Sequence, residues 1–384
     1  MDTYQVMLPA KIVIGPGSLG CLGGEAGKLG VKRALIVTDP GVYRAGLTEP
    51  VKEQLTRQKI AVDTFSGAEP EPTLHWLNAA VAKLGNPGYQ LIVGVGGGSS
   101  IDIAKAISVL LSHGGKGEDY IGVDIIPGPI IPIFALPTTA GTGSEATKNA
   151  VFNDEAKGYK STIVSPLILP HLALVDAELT YTCPPEITAA SGIDALVHAI
   201  ESYVSNKANC FTDAISLKAM QLVADNLKVV VRNGADSKAR NRMAEGALLA
   251  GIAFANSGLG AVHGVAQLLG ARFHVPHGVA NGLFLPYVMA CNLPADLPKY
   301  AVVARVLGVD TAGLSLAEAA EKGVEKVTAL AEDIGIPTHL REVGVPEAAI
   351  GDMALANMEF ERPMCFNPKK LVLDDVRTIW QNAW

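Results

Sequence analysis

The sequence predicts an α/β protein whose first half forms a parallel sheet and whose second half is helical. Short apolar blocks alternate with helix-period segments as far as about residue 182, and beyond Cys183-Pro184-Pro185 the strand signal almost vanishes. Alternation of this kind reads as βαβ units, whose strands are covered on both faces and so appear as near-continuous apolar runs. The 384 residues also exceed the roughly 250–300 at which one core stops growing, so two domains are expected.

The elements follow in order. Arg33 to Asp39 (RALIVTD) is a buried strand ending in the turn chemistry of Asp39-Pro40-Gly41, and a helical stretch runs on to about Lys59. Ala61 to Phe65 is a short strand, Thr73 to Leu84 has helical spacing, and Tyr89 to Val95 (YQLIVGV) is a third strand. A helix over Ile101 to Leu111 follows. Ile130 to Leu136 is a fourth strand, opening into the small-residue loop Pro137 to Ser144, and Leu172 to Asp176 (LALVD) is the last. Ala-rich, helix-period segments then cover Glu186 to Tyr203, Asp213 to Val231, Ala239 to Phe254 and Gly258 to Phe273. Two prolines interrupt the chain before these, so the domains are expected at 1–182 and 183–384.

Composition excludes several functions. Hydrophobic residues make up 49% and charged residues 18%, ample for packed cores and unlike a disordered chain. The net charge of −7 and the lack of a basic run argue against nucleic acid as a partner. The five cysteines are scattered without a C-x-x-C pair, which indicates neither a disulfide framework nor a thiolate zinc site and fits a reducing cytoplasm. Met1 to Ala10 lacks the character of a signal peptide, and Gly and Pro interrupt the apolar stretches short of membrane-spanning length. A cytoplasmic protein with no membrane partner is expected.

Two constellations carry chemistry. Gly94-Val95-Gly96-Gly97-Gly98-Ser99-Ser100 lies directly between a strand and a helix, where glycines let backbone amides approach a phosphate and the helix N-terminus favours an anion. The spacing departs from G-x-G-x-x-G, and the alternative is a tight turn without a ligand. Asp39, at a neighbouring strand end, can accept hydrogen bonds from a ribose while repelling a 2′-phosphate, which favours NAD over NADP; the alternative is a turn Asp before Pro-Gly.

The second constellation is Asp194 with His198, four residues apart on one helix face. Such a pair is half of a metal site or a hydrogen-bonded structural pair. His263 and a histidine of His274-Val275-Pro276-His277 can complete it, and three nitrogens with one oxygen suit Fe(II), Zn(II) or a similar divalent ion.

With these residues the chain resembles the iron-containing alcohol dehydrogenase family. Ala173-Leu174-Val175-Asp176, Pro184 and Ser191-Gly192-Ile193-Asp194-Ala195-Leu196 with Glu201 are similar to its first signature. Gly258 to Gly264 through Pro276-His277-Gly278-Val279-Ala280-Asn281 are similar to its second. The resemblance implies a Rossmann-like N-terminal domain, an all-helical C-terminal domain, and NAD(H)-linked hydride transfer to or from a small primary alcohol or aldehyde, with the metal polarising the substrate oxygen. Asp194, His198, His263 and His277 match its metal ligands, leaving His274 outside. Asp39, Gly96, Gly97, Gly98, Ser99, Thr138, Thr139, Thr142, Lys160 and Leu179 match positions lining the dinucleotide. Asn149, Phe254 and Cys365 match positions around the substrate, and Gln267 stands where many members carry a further His near the nicotinamide. Glu71 also departs from the family, where relatives often have Asn. A homodimer or larger homo-oligomer is implied too. The competing readings are a glycerol, polyol or dehydroquinate-synthase-like enzyme on the same plan, and a scaffold that retains the fold without activity.

Overall fold

A computed structural model describes residues 3–154, 159–359 and 364–384. The chain divides into two compact units, Met7–Cys183 and Pro184–Trp384, the second taking Met1–Val6 as well.

In the first unit six strands form one all-parallel sheet: β1 (Lys11–Ile14), β2 (Arg33–Thr38), β3 (Ala61–Phe65), β4 (Leu91–Gly96), β6 (Ile133–Pro137) and β9 (Leu172–Val175), in the order β1-β9-β6-β4-β2-β3. The strands read from the sequence are β2, β3, β4, β6 and β9. In the central strands β4 and β6 every residue is buried, as strands covered on both faces require. The apolar run of β2 still alternates. Leu35 and Val37 join one core layer with Ile92, Ile103 and Ile107, while Ala34 and Ile36 join another with Val51, Leu55 and Val93. Each large aliphatic side chain buried this way contributes about 1.5–3 kcal/mol.

Two features of the sheets are absent from the sequence reading. Edge strand β1 pairs only with β9 and has no fully buried residue, so it carries little apolar signal. A second sheet of β5 (Gly122–Val123), β7 (Asn149–Asp154) and β8 (Tyr159–Val164) joins β7 and β8 antiparallel. Strand β7 alternates half-buried and buried residues, with Ala150 and Phe152 inward, and so escapes a search for continuous apolar runs.

The second unit is helical, with no strand among its described residues. Helices Pro185–Val204, Cys210–Arg232 and Ser237–Ser257 correspond to the first three Ala-rich segments and extend them, Ala261–Phe273 starts three residues later than the fourth, and His277–Asn292 is absent from the sequence reading. The first of these is buried continuously from Gly192 to Val204 and packs against Cys210–Arg232, Ser237–Ser257 and His277–Asn292, so its side chains meet others from distant sequence. Among the described residues, no single helix is long and apolar enough to cross a membrane.

Candidate functional site

Three helix segments of the second unit supply one cluster. Asp194, His198 and Glu201 lie at i, i+4 and i+7 of helix Pro185–Val204 and therefore share a face. His263 sits in the first turn of Ala261–Phe273, and His277 opens the helix in which Asn281 lies one turn later. Single ligand atoms of Asp194, His263 and His277 all lie within 4.8 Å of one another. His198 Nε2 is 3.8 Å from Asp194 Oδ2, and its ring stacks on His263 at 4.8 Å and on Phe254 at 4.5 Å between centroids. The structure thus brings together all four side chains singled out as metal ligands. Three of them converge tightly, and His198 joins through Asp194.

The balance of donors and acceptors tests whether a cation fits. The Asn281 amide nitrogen lies 2.7 Å from Asp194 Oδ1, 3.0 Å from His263 Nε2 and 3.1 Å from His277 Nε2. One NH₂ has two protons for three acceptors, and Asn281 Oδ1 is buried with no hydrogen-bond partner. Burial pushes the Asp194 carboxyl up, but the imidazoles of His198, His277 and His263 and the Asn281 amide outweigh it and pull it down to about 2. A buried carboxylate beside converging imidazole nitrogens is a donor set suited to a divalent transition ion.

His274 lies outside the cluster. It is exposed, in a left-handed conformation (φ 55°) that ends helix Ala261–Phe273. Gln267, one turn after His263, is half-buried. Cys365 is exposed, and its carbonyl accepts from the Asn206 side chain.

Glu201 and Asn281 belong to the signatures but had no role in the sequence reading. Glu201 accepts from His263 Nδ1 at 2.6 Å and from the Val262 N–H at 2.6 Å. The signal was available in both cases. Glu201 extends the Asp194–His198 spacing by one turn, and Asn281 repeats it from His277.

In the first unit the glycine turn joins β4 to helix Gly98–His113, whose N-cap is Gly97. Gly96 has φ 155°, and a Cβ there would sit 2.4 Å from Ser100 Oγ, so only glycine allows the chain to pass. A Cβ on Gly98 would meet the Thr142 methyl at 2.8 Å, which sets the Pro137–Ser144 loop against the turn. The Thr138 N–H donates to the Gly96 carbonyl, and Thr139 is within 4 Å of where a Gly97 Cβ would stand. Asp39 caps the short helix Pro40–Arg44 by accepting from Gly41 and Val42 N–H, and its other oxygen accepts from Ser100 Oγ at 3.2 Å. The turn-cap reading of Asp39 is thus what the structure shows, with one oxygen on the cap and the other on Ser100. Lys160 Nζ lies 3.5 Å from Glu71 Oε1, while the Glu71 N–H donates to Ser99 Oγ. Leu179 is buried, in the same core layer as Ile36 and Val93. Asn149 opens β7, and its carbonyl accepts from the buried Lys105 ammonium at 2.7 Å.

Comparison with known proteins gives consistent results. The model of the "Iron-containing alcohol dehydrogenase" family matches residues 9–177, and that of the "Fe-containing alcohol dehydrogenase family, C-terminal" matches 188–384. The chain is 38% identical to lactaldehyde reductase of Escherichia coli (strain K12), over 99% of both chains. A crystal structure of a 1,3-propanediol oxidoreductase superposes with a TM-score of 0.96 at 38% identity, covering 100% of both chains. The sulfoacetaldehyde reductase of Bifidobacterium kashiwanohense, solved with NAD+, superposes with a TM-score of 0.89 at 28% identity, covering 100% of this chain and 99% of its own.

Proposed function

The chain belongs to the iron-containing alcohol dehydrogenase family, and from that premise we propose which residues carry out its reaction. It is an oxidoreductase acting on CH–OH, and the rival polyol, synthase and scaffold readings are not favoured. In our reading Asp194, His198, His263 and His277 bind Fe(II), with Zn(II) as the other ion the same donors accept. The observation that carries this is the convergence of ligand atoms from the buried Asp194 and His263 and the half-buried His277 within 4.8 Å. When bound, such an ion supplies Lewis-acid polarisation of the substrate oxygen.

The chain's own residues do the rest. Asp194, pulled down to about 2, contributes a carboxylate among the three imidazoles. Phe254, stacked on His198, keeps water from that side of the ring. Gln267 has an amide where a titrating group would be needed for a proton relay, so it can orient a substrate hydroxyl but cannot take its proton. The dinucleotide is NAD(H), its pyrophosphate on Gly96, Gly97, Gly98 and Ser99 at the N-terminus of helix Gly98–His113. Asp39 meets the adenosine ribose and disfavours a 2′-phosphate. Thr138, Thr139, Thr142, Lys160 and Leu179 line the cofactor, and Asn149, Phe254, Gln267 and Cys365 surround the substrate.

Relatives named for lactaldehyde, 1,3-propanediol and sulfoacetaldehyde support a short primary alcohol or aldehyde as substrate, while a long-chain-alcohol dehydrogenase is similar to a comparable degree. A cytoplasmic homo-oligomer completes the reading. The test is anaerobic purification with metal analysis, followed by an NADH-oxidation screen over short aldehydes and diols. Iron content with turnover of at least one short aldehyde is expected; a metal-free protein with full turnover would overturn the ligand assignment.

A further inference from the structure

We propose that Glu201 is the positioning residue for His263, selecting the imidazole tautomer that leaves Nε2 bare toward Asp194. Glu201 is 4% exposed and reaches, from helix Pro185–Val204, the start of a helix 60 residues further along the chain. There Oε1 accepts from the Val262 N–H and Oε2 meets His263 Nδ1, each at 2.6 Å. First-turn N–H groups have no partner within their own helix, and a carboxylate is favoured at that end of the dipole, so one side chain both caps the helix and holds the ring.

Gly260 makes the approach possible. A Cβ there would stand 3.0 Å from Glu201 Oε1 and 3.1 Å from Asn367 Oδ1, the oxygen that accepts from the Ala261 N–H. Glu201 and Asn367 thus cap successive N–H groups of the turn that carries His263.

The tautomer follows from what each partner can offer. A carboxylate offers only acceptors, so the proton of the neutral ring belongs on Nδ1. On the other side of the ring, His263 Nε2 is 3.0 Å from the Asn281 NH₂, which offers only donors, so a proton on Nε2 would face a donor and the bare nitrogen is favoured. Two contacts from different helices therefore specify the same tautomer. It is the one a metal ligand needs, because the free lone pair lies on the nitrogen 3.7 Å from Asp194 Oδ1.

Glu201→Gln separates this role from simple packing. Gln has one oxygen for two contacts; the Val262 amide cannot give up its proton, so the oxygen goes there and the NH₂ turns to Nδ1. The ring must then carry its proton on Nε2. The experiment uses the full-length, chelator-treated enzyme with ¹⁵N-labelled histidine at about pH 8, above the ordinary imidazole range. The His263 resonance is assigned by its loss in His263→Asn.

Wild type is expected to show Nδ1–H, and Glu201→Gln to show Nε2–H with Zn(II) affinity lower by roughly 10–100-fold in direct titration. An Nε2–H tautomer in wild type overturns the proposal without any variant having to fold. So does a folded Glu201→Gln protein that keeps the wild-type tautomer and Zn(II) affinity. The inference rests on His263 as a metal ligand, yet the tautomer is read without metal. A wild-type Nδ1–H protein that binds no Zn(II) would therefore sink the ligand assignment and leave the positioning role standing.

Discussion

Each unit buries a cluster of ionisable side chains, and the two clusters are balanced in opposite ways. In the α/β unit the fully buried Lys105 ammonium has three protons and three acceptors: Thr147 carbonyl and Oγ1, each at 3.0 Å, and the Asn149 carbonyl at 2.7 Å. Asp102 Oδ1 stands 3.6 Å away, and its Oδ2 accepts from Val151 N–H. The ammonium is fully paired, and Asp102 Oδ1, which makes no hydrogen bond, faces that cation. In the helical unit Asp194 and the imidazoles of His263 and His277 offer more acceptors than the Asn281 NH₂ can satisfy, and among the described residues Asp194 has no Lys or Arg partner. Burying polar groups is costly unless they are paired, so a matched cluster holds structure and an acceptor-rich one calls for a cation.

The largest expected effect breaks the acceptor-rich side. His263→Ala should lose its metal and at least about 10³ in turnover, since ion-centred charge stabilisation is worth several kcal/mol, while NADH binding stays near wild type. Metal analysis beside a fluorescence titration with NADH checks both halves. Full turnover in the metal-free variant would erase the distinction between the clusters.

Lys105→Met tests the closed side. It removes the cation between Asp102 and Glu145, and a buried pair broken this way costs about 3–5 kcal/mol. Urea unfolding should show that loss with metal content unchanged; an unaffected midpoint would mean the ammonium is not holding the unit together.

Glu145 sharpens the same point through pH. Burial raises its carboxyl from the ordinary 4.5 to about 7, against the lowering effects of a backbone hydrogen bond and of Lys105. The folded chain then holds this proton more tightly than the unfolded chain. Stability from this group is complete below pH 4.5 and declines as pH rises toward about 7. At about 1.4 kcal/mol per unit the decline reaches about 3 kcal/mol. Glu145→Gln should flatten the stability profile over that window, and an unchanged slope would count against the buried acid as its source.

The smallest effect concerns how tightly the metal cluster is seated. A Cβ on Gly278 would stand 2.1 Å from the Ala190 carbonyl of helix Pro185–Val204, so Gly278→Ala must push His277 and Asn281 away from Asp194. Overpacking of this kind costs about 1–3 kcal/mol, and Zn(II) titration should show weaker binding. Unaltered affinity would show that the cluster tolerates such a shift.

Much of this was legible locally. Continuous apolar runs mark β2, β4 and β6 because a strand covered on both faces must be apolar throughout, and helical spacing alone puts Asp194 and His198 on one face. Strands β1 and β7 were not legible, since half-buried residues dilute the pattern that marks a strand. The choice between His274 and His277 was open from the residues alone. It was decided by the chain bending through a left-handed residue, which leaves one ring exposed and starts the next helix on the other.

The sequence by itself determined the elements and the types of donor available, because helix and strand periods are set by neighbours a few residues apart. Only the tertiary structure decided which donors meet. Glu201 reaches His263 across 62 residues of chain and Asn281 reaches Asp194 across 87. Contacts at that separation depend on how whole helices pack around a buried one, and no local period records it.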